Sequence, residues 1–231
     1  MEISIWSDIR CPFCYIGKRK FEAALDKFAH KDKVSIVWKS FELDPNLQTL
    51  PDVSTLAHFC DTKGVSEEQA LQMFGHAVAM GKEVGIDFNF ENAVVANSLN
   101  AHRLIKFAAV KGLSGKMKEA LLQAHFIAGN NIDDIDFLVG LAALNGMDKE
   151  AVRNMLLSDD YTYEVRQDEM EARNLGINGV PFFVLDEKHG ISGAQATETF
   201  LEALEQIWGN KIAENAHPSG SGDACAIDGE C

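Results

Sequence analysis

Two of the five cysteines in this chain of 231 residues stand close together, at Cys11 and Cys14. Thiol–disulfide exchange needs one accessible thiolate and a second thiol that can displace the mixed disulfide, and two intervening residues allow this. Pro12 suits the first position of a helix, which would place Cys11 at the N-cap. Free amides and the positive end of the helix dipole favour a thiolate there. We therefore predict that Cys11 is the nucleophile.

Cys14 is predicted to differ from Cys11 in its surroundings. It lies one turn into the helix, on the same apolar stripe as Phe21 and Leu25. Burial there would keep its thiol protonated until a substrate engages Cys11, which is the behaviour of a resolving thiol.

A zinc site is the alternative interpretation of the pair. Zinc prefers four ligands, usually from a second close pair, and the nearest candidates, Cys225 and Cys231, have an unusual spacing. We expect no metal.

The surrounding pattern predicts the elements that hold the pair. A strand at 2–7, a helix at 12–30 and a second strand at 34–43 form a parallel βαβ unit. Amphipathic helical patterns then run from about 54 to 175. A hairpin of strands at 181–186 and 191–192 and a last helix at 197–212 complete an α/β order of βαβ, helical insertion and ββα.

Several segments together resemble the DsbA family, in its FrnE-like branch. The resemblance covers roughly residues 3–205, and its most specific parts are Cys11-Pro12-Phe13-Cys14 and Gly179-Val180-Pro181. It implies a thioredoxin fold with a helical insertion and no organic cofactor. It also implies oxidation, reduction or isomerisation of disulfides in proteins or small thiols, with glutathione among the candidates. The further matching segments are 7–17, 41–45, 101–104, 129–132 and 191–195.

The pattern of elements divides the chain, and the thioredoxin fold places a substrate contact. The order of elements predicts a thioredoxin domain of residues 1–50 with 176–213 and a helical subdomain of 51–175, and the linker composition of 214–231 predicts a flexible tail. In thioredoxin folds the Val180–Pro181 bond is cis and lies beside the Cys pair, which would leave the Val180 backbone free to pair with an extended substrate. We expect Pro12 and Phe13 to contact substrate as well.

Three further residues are accessory candidates. The strand before the Cys pair carries Ile5 and Trp6 instead of a buried carboxylate, so Asp8 is the only local candidate for a proton relay. A solvated loop carboxylate is the alternative that we favour for Asp8. The family pattern places His102 and Arg103 on a helix facing the pair, where they could form a substrate groove or an anion site. Arg103 could equally pair with one of the many carboxylates.

The remaining cysteines leave two interpretations open. Cys225 and Cys231 could form a second redox pair that exchanges electrons with Cys11 and Cys14, because a coil of about 15 residues spans roughly 20 Å. Alternatively, they are incidental residues of a disordered tail. Cys60 is expected to be a small buried side chain in a helix of the insertion.

Charge and hydropathy exclude some partners. Lys and Arg number 21 against 35 Asp and Glu, and a net charge of -14 disfavours nucleic acids and anionic membranes. No segment has the pattern of a signal peptide or a membrane span, so we expect a soluble protein of the cytoplasm.

Two other functions compete with disulfide exchange. A kappa-class glutathione transferase or hydroxychromene-carboxylate isomerase shares the architecture, but those enzymes usually carry Ser at the first Cys position. A chaperone-like binding module would use the helical insertion and a Cys-anchored cleft.

Overall fold

The structure, a computed structural model, describes residues 1–216, with side chains described to residue 212. A four-stranded sheet in the order β2-β1-β3-β4 forms its centre. β1 pairs in parallel with β2 and antiparallel with β3, and β3 forms an antiparallel hairpin with β4. The strands are β1 Glu2–Ser7, β2 Ser35–Ser40, β3 Phe182–Leu185 and β4 His189–Ser192.

Nine α-helices lie within the described residues, and seven of them separate β2 from β3. Several begin at side chains that satisfy free backbone amides, such as Ser66 with Gln69 in a capping box and Asp148 at an N-cap. The helices are α1 Pro12–Lys27, α2 Thr55–Lys63, α3 Glu67–Glu83, α4 Leu99–Ala109, α5 Ser114–Phe126, α6 Ile135–Leu144, α7 Lys149–Leu157, α8 Thr162–Asn174 and α9 Thr197–Ala216.

The central strand β1 is covered on both faces. Ile3 and Ile5 belong to the main apolar core, whereas Trp6 packs on the opposite face with Ala172 of α8 and Ile177. The carboxyl half of the strand is held firmly, because Ile5, Trp6 and Ser7 are all buried. The loop after Ser7 therefore starts from a fixed point.

An aromatic cluster fixes α1 against the sheet. The ring of Phe21 lies 5.4 Å from that of Phe183 in β3 and 5.7 Å from that of Phe200 in α9. The pair with Phe200 is edge-to-face, a geometry that adds about 0.5–1.5 kcal/mol beyond the burial of the rings. The start of α1 is thereby held at the end of β1.

The same core continues into the insertion. Leu104 of α4 and Leu121 of α5 are fully buried in one cluster with Ile5 of β1. Side chains of α4 and α5 therefore reach the loop that follows β1.

This topology confirms the predicted thioredoxin fold with a helical insertion. Some predicted boundaries differ: α1 stops at Lys27 instead of residue 30 and is followed by a 3-10 turn at Lys31–Lys33, and α9 continues to Ala216 instead of ending at residue 212. The second strand ends at Ser40 instead of residue 43. The last strand, β4, begins at His189 instead of residue 191, because Asp186 and Glu187 with positive φ form the hairpin turn. Within residues 1–216, no helix combines the length and apolarity that a membrane span requires.

Candidate active site

The Cys pair lies at the start of α1, shortly after the end of β1. Cys11 occupies the N-cap with an extended backbone, and Pro12 takes the first helical position as predicted. The amide of Cys14 donates to the carbonyl oxygen of Cys11 at 3.0 Å, and both thiols are free. Cys11 is 5% exposed and Cys14 is 2% exposed.

The Cys11 sulfur makes no capping hydrogen bond with the helix amides that were expected to bind it. Instead, Sγ lies 3.5 Å from the carbonyl oxygen of Val180, to which the thiol can donate. A protonated thiol is a weak donor, and a carbonyl oxygen can accept from it.

The Val180–Pro181 loop packs directly against α1. The peptide bond between these residues is cis. A Cβ added to Gly17 would lie 2.9 Å from Cγ of Pro181, so only glycine allows α1 to approach so closely. The amide of Gly193 donates to the Pro181 carbonyl at 2.8 Å and ties β4 to the same loop.

The resolving position is buried as predicted. Burial raises the pKa of the Cys14 thiol well above its ordinary value, and the neighbouring Cys11 raises it further. The charge of Lys118 and the amide of Asp8 act in the opposite direction. Cys14 is therefore a protonated thiol in the reduced protein.

Asp8 is a buried carboxylate, and the favoured interpretation as a solvated loop residue is wrong. It is fully buried, and its oxygens accept from the amides of Leu43 at 2.8 Å and Arg10 at 3.2 Å. Burial alone would raise its pKa, but His102, the amide of Leu43 and the charge of Arg10 together hold the pKa well below its usual range. The loop carries Asp8 inward because α4 closes over it.

His102 lies against Asp8, with its Nε2 atom 3.4 Å from Oδ1. Burial lowers the pKa of His102 despite the adjacent carboxylate. Because an ionised Asp8 can only accept, the neutral imidazole donates from Nε2.

Arg103 binds backbone carbonyls of the insertion; among the described residues no ion pair with a carboxylate is seen, although the charges of Asp159 and Asp160 oppose the lowering of its pKa by burial. Its guanidinium donates to the carbonyl oxygens of Met155 and Asp160 at 2.8 Å, and also to those of Leu156 and Ser158. These carbonyls lie at the end of α7, where the helix leaves them without partners. Arg103 therefore stabilises the insertion.

A fully buried lysine beneath the pair was missed by the sequence interpretation. Lys118 of α5 donates from Nζ to the carbonyl oxygen of Ser7 at 3.2 Å and lies 5.6 Å from the centre of the Trp38 ring. Burial lowers its pKa to about 8. Its position could have been found, because Lys118, Leu121, Leu122 and His125 form one buried stripe at helical spacing.

Phe13, between the two cysteines, contacts the helical insertion. Its ring is half-buried and lies 6.3 Å from that of His76 in α3. Pro12 is also half-buried. The two residues thus form the surface between the Cys pair and α3.

A family model described as the DSBA-like thioredoxin domain matches residues 2–205. The chain belongs to this family. Its sheet with the helical insertion is therefore that of a DSBA-like thioredoxin domain.

Known relatives of this DSBA-like chain include one solved structure at high similarity. The probable DsbA oxidoreductase SCO1869 from Streptomyces coelicolor is 38% identical, with 99% of this chain and 97% of that chain covered and a TM-score of 0.86. The uncharacterized protein YwbO from Bacillus subtilis is 28% identical over 88% of this chain and 96% of its own length. The cytosolic disulfide reductase DsbM from Pseudomonas aeruginosa shares the fold, with 17% identity, a TM-score of 0.66 and coverage of 91% of this chain and all of that chain.

A second buried acidic group lies close to Asp8. Glu42 and Glu169 both contact the guanidinium of Arg166, and the amide of Glu42 donates to Glu169 at 3.2 Å. Burial raises the pKa of Glu42 to about 7, and Arg166 only partly opposes this. The site of this DSBA-like protein thus includes a carboxyl group that titrates near neutrality.

Among the other cysteines, only Cys60 lies within the described residues. Cys60 is half-buried on α2, so the expectation of a buried side chain is wrong; α2 packs mainly on α3 at the edge of the insertion. Cys225 and Cys231, with the predicted flexible tail, lie outside the described residues.

Proposed function

We propose that the protein is a thiol–disulfide oxidoreductase that exchanges disulfides with protein or small-thiol substrates through Cys11 and Cys14. The observation that carries this proposal is the free Cys pair at the start of α1, with Cys11 Sγ 3.5 Å from Val180 in the cis-proline loop. Membership of the DSBA-like family supports it. No cofactor is needed, since the two sulfurs supply both electrons.

The N-cap position of Cys11 and the raised pKa of Cys14, one turn into α1, support a separate role for each sulfur. The thiolate of Cys11 attacks a substrate disulfide, and one substrate sulfur leaves with the electron pair. Cys14 then attacks Cys11 Sγ, which releases the second substrate sulfur and leaves the Cys11–Cys14 disulfide. The reverse sequence oxidises a substrate dithiol or isomerises a wrong disulfide.

Four residues form the proposed substrate contact. The backbone of Val180 pairs with an extended substrate segment, while Pro181, Pro12 and Phe13 surround the reacting sulfur. The insertion of residues 51–175 adds a surface next to Phe13, because His76 of α3 reaches its ring. The thioredoxin domain of 1–50 with 176–213 supplies the chemistry.

Glutathione and proteins are the proposed substrates. The structure of DsbM solved with GSH supports glutathione as a small thiol that this fold can hold. The description of DsbM as a cytosolic reductase likewise supports the cytoplasm as the compartment.

Two assays test the function. We expect the reduced protein to accelerate the reduction of insulin by dithiothreitol or to recover activity from scrambled ribonuclease, and Cys11→Ser to abolish both activities. Cys60→Ser is the matched control, because it removes a half-buried thiol on α2. The proposal is wrong if the wild-type protein is inactive in both assays or if Cys11→Ser retains full activity.

A further inference from the structure

The carboxylate of Asp8 joins three segments of the chain next to the Cys pair. Its Oδ1 atom accepts from the amide of Arg10 at 3.2 Å, within the loop that follows β1. Its Oδ2 atom accepts from the amide of Leu43 at 2.8 Å, beyond the end of β2. His102 of α4 approaches Oδ1 to 3.4 Å. The carboxylate is therefore held from three sides.

The backbone of Asp8 connects this carboxylate to Cys11. The amide of Cys11 donates to the carbonyl oxygen of Asp8 at 3.4 Å, which closes a four-residue turn. The hydrogen bond from the amide of Arg10 to the Asp8 side chain closes a second, smaller ring inside the same turn. A turn closed twice has few alternative conformations, and Cys11 is its last residue.

Cys11 is held through its backbone and through its sulfur. Its amide is bound by Asp8, and its Sγ atom lies 3.5 Å from the carbonyl oxygen of Val180. In a mixed disulfide Cys11 has no thiol proton, so the hydrogen bond to Val180 is lost. The turn and the first residues of α1 then remain to fix the position of the sulfur.

His102 is the contribution of the helical insertion to this arrangement. It lies in the first turn of α4, where its own amide donates to the carbonyl oxygen of Ser98 at 2.9 Å. His102 and Asp8 are both buried, with exposed fractions of 1% and 0%. A buried carboxylate that loses a donor is strongly destabilised where it stands. Without the imidazole, the carboxylate and the turn that it closes would therefore take another position.

The neighbouring cations are engaged elsewhere. Lys118 donates to the carbonyl oxygen of Ser7 at 3.2 Å. Arg166 contacts the carboxylates of Glu42 and Glu169. Among the residues that the structure describes, the imidazole of α4 is the one side chain within hydrogen-bond distance of the Asp8 carboxylate.

We propose that His102 is a positioning residue for Cys11 and that it acts through the carboxylate and the turn of Asp8. This inference rests on the disulfide exchange proposed above. The step that depends most on position is the attack of Cys14 on Cys11, because an intramolecular reaction gains its speed from the fixed geometry of the reacting atoms.

The positioned step is balanced without a further reactant. The bond between the sulfurs of Cys14 and Cys11 forms as the bond from Cys11 to the substrate sulfur breaks, and the substrate sulfur leaves with the electron pair. Cys14 gives its proton to solvent, and the departing thiolate takes one from solvent. His102 exchanges no proton in this step.

Stopped-flow reaction with dithiobis-nitrobenzoate separates this step from the first attack. Cys11 releases the first thionitrobenzoate in a bimolecular reaction, and the intramolecular attack of Cys14 releases the second. The experiment uses the full chain with Cys60, Cys225 and Cys231 replaced by Ser, so that only the pair reacts.

Two substitutions of His102 test the inference. His102→Leu removes the donor, whereas His102→Gln keeps an N–H group that can reach Asp8. We expect His102→Leu to leave the first release within about threefold of wild type and to slow the second between about tenfold and a hundredfold. His102→Gln should restore the second release to within about threefold of wild type. Rescue by the glutamine is not expected if the imidazole only fills space.

Arg103→Leu is the matched control on the same helix. Arg103 donates to carbonyl oxygens at the end of α7, so its loss lowers the free energy of unfolding without touching the turn of Asp8. The second release should equal that of the wild type. The inference is overturned, while the proposed function stands, if His102→Leu equals Arg103→Leu in the second release or if His102→Gln is as slow as His102→Leu.

A double substitution tests whether the effect passes through Asp8. Asp8→Ala should slow the second release at least as much as His102→Leu does. Adding His102→Leu to Asp8→Ala should slow it no further, because both changes remove the same contact. Effects that multiply would overturn the inference. Absence of the first release in the wild-type background would instead overturn the proposed function.

A measurement on the unsubstituted side chain applies if these variants fail to fold. The ring nitrogens of His102 in the ¹⁵N-histidine-labelled full chain report by NMR which nitrogen carries the proton. We expect the neutral ring with its proton on Nε2 in both the reduced and the oxidised protein, because the turn is needed in both. A ring with its proton on Nδ1 alone cannot donate to Asp8 and contradicts the inference.

Discussion

The carbonyl oxygen of Val180 lies 3.5 Å from Sγ of Cys11, a contact between residues 169 positions apart in the chain. The contact exists only while Cys11 is protonated, because a thiolate cannot donate a hydrogen bond. Ionisation of Cys11 therefore also releases the Val180 carbonyl. In the proposed mechanism, activation of the nucleophile and exposure of the backbone that binds substrate are one event.

The close approach of α1 to the cis-proline loop yields a first prediction. Gly17→Ala places a methyl group 2.9 Å from Cγ of Pro181, so the loop must move away from Cys11. We expect the free energy of unfolding to fall by about 1–3 kcal/mol. We also expect insulin reduction to slow markedly, as measured on protein shown to be folded by circular dichroism.

Gly140→Ala is the control for this substitution. Gly140 is also within a helix, but a Cβ there meets no atom within 4 Å. The Gly140→Ala variant should have a free energy of unfolding about 0.5–1 kcal/mol higher than the wild type and the same rate of insulin reduction. Full activity of Gly17→Ala would show that the position of the loop does not matter for exchange.

The buried carboxylate of Asp8 yields a prediction about acid stability. Its pKa is lower in the folded than in the unfolded chain, so its contribution is present above the unfolded pKa and is lost as pH falls. We expect Asp8→Asn to reduce the free energy of unfolding near neutral pH by about 1.5–3 kcal/mol, the value of hydrogen bonds to a charged group. The difference in free energy of unfolding between the variant and the wild type should become smaller in acid.

Urea unfolding between neutral pH and about pH 3 measures this change. Asp52→Asn, at an exposed loop position, provides the comparison and should leave the curve unchanged. An Asp8→Asn variant with wild-type stability throughout would contradict the described hydrogen bonding.

Glu42 should produce the opposite pH dependence. Because burial raises its folded pKa to about 7, its contribution is complete below the unfolded pKa and is lost as pH rises through 7. We expect Glu42→Gln to flatten the decline in stability between about pH 5 and pH 8. Glu83→Gln, at an exposed position on α3, should decline as the wild type does. Parallel curves for wild type and Glu42→Gln would refute the assignment.

The elements of this fold could be predicted because each has a local signal. Pro12 marks the start of α1, and apolar periodicity marks both β1 and the helices of the insertion. The cis-proline loop was expected because Gly179-Val180-Pro181 matches a known family.

The electrostatics of the site depend on contacts that no local pattern contains. Asp8 is buried because His102, 94 positions away, closes over it. Lys118 reaches Ser7 across 111 positions. A polar residue in a loop and a lysine in a helix are usually exposed, so these two were misjudged or overlooked.

Trapping of a mixed disulfide tests the central claim most directly. Cys14→Ser keeps the nucleophile but removes the resolving thiol, so a disulfide substrate should remain bonded to Cys11. We predict one adduct per chain, located at Cys11 by peptide mass spectrometry, and none at this position in Cys11→Ser. An adduct found only at another cysteine, or no adduct in Cys14→Ser, would contradict the assignment of Cys11 as the nucleophile.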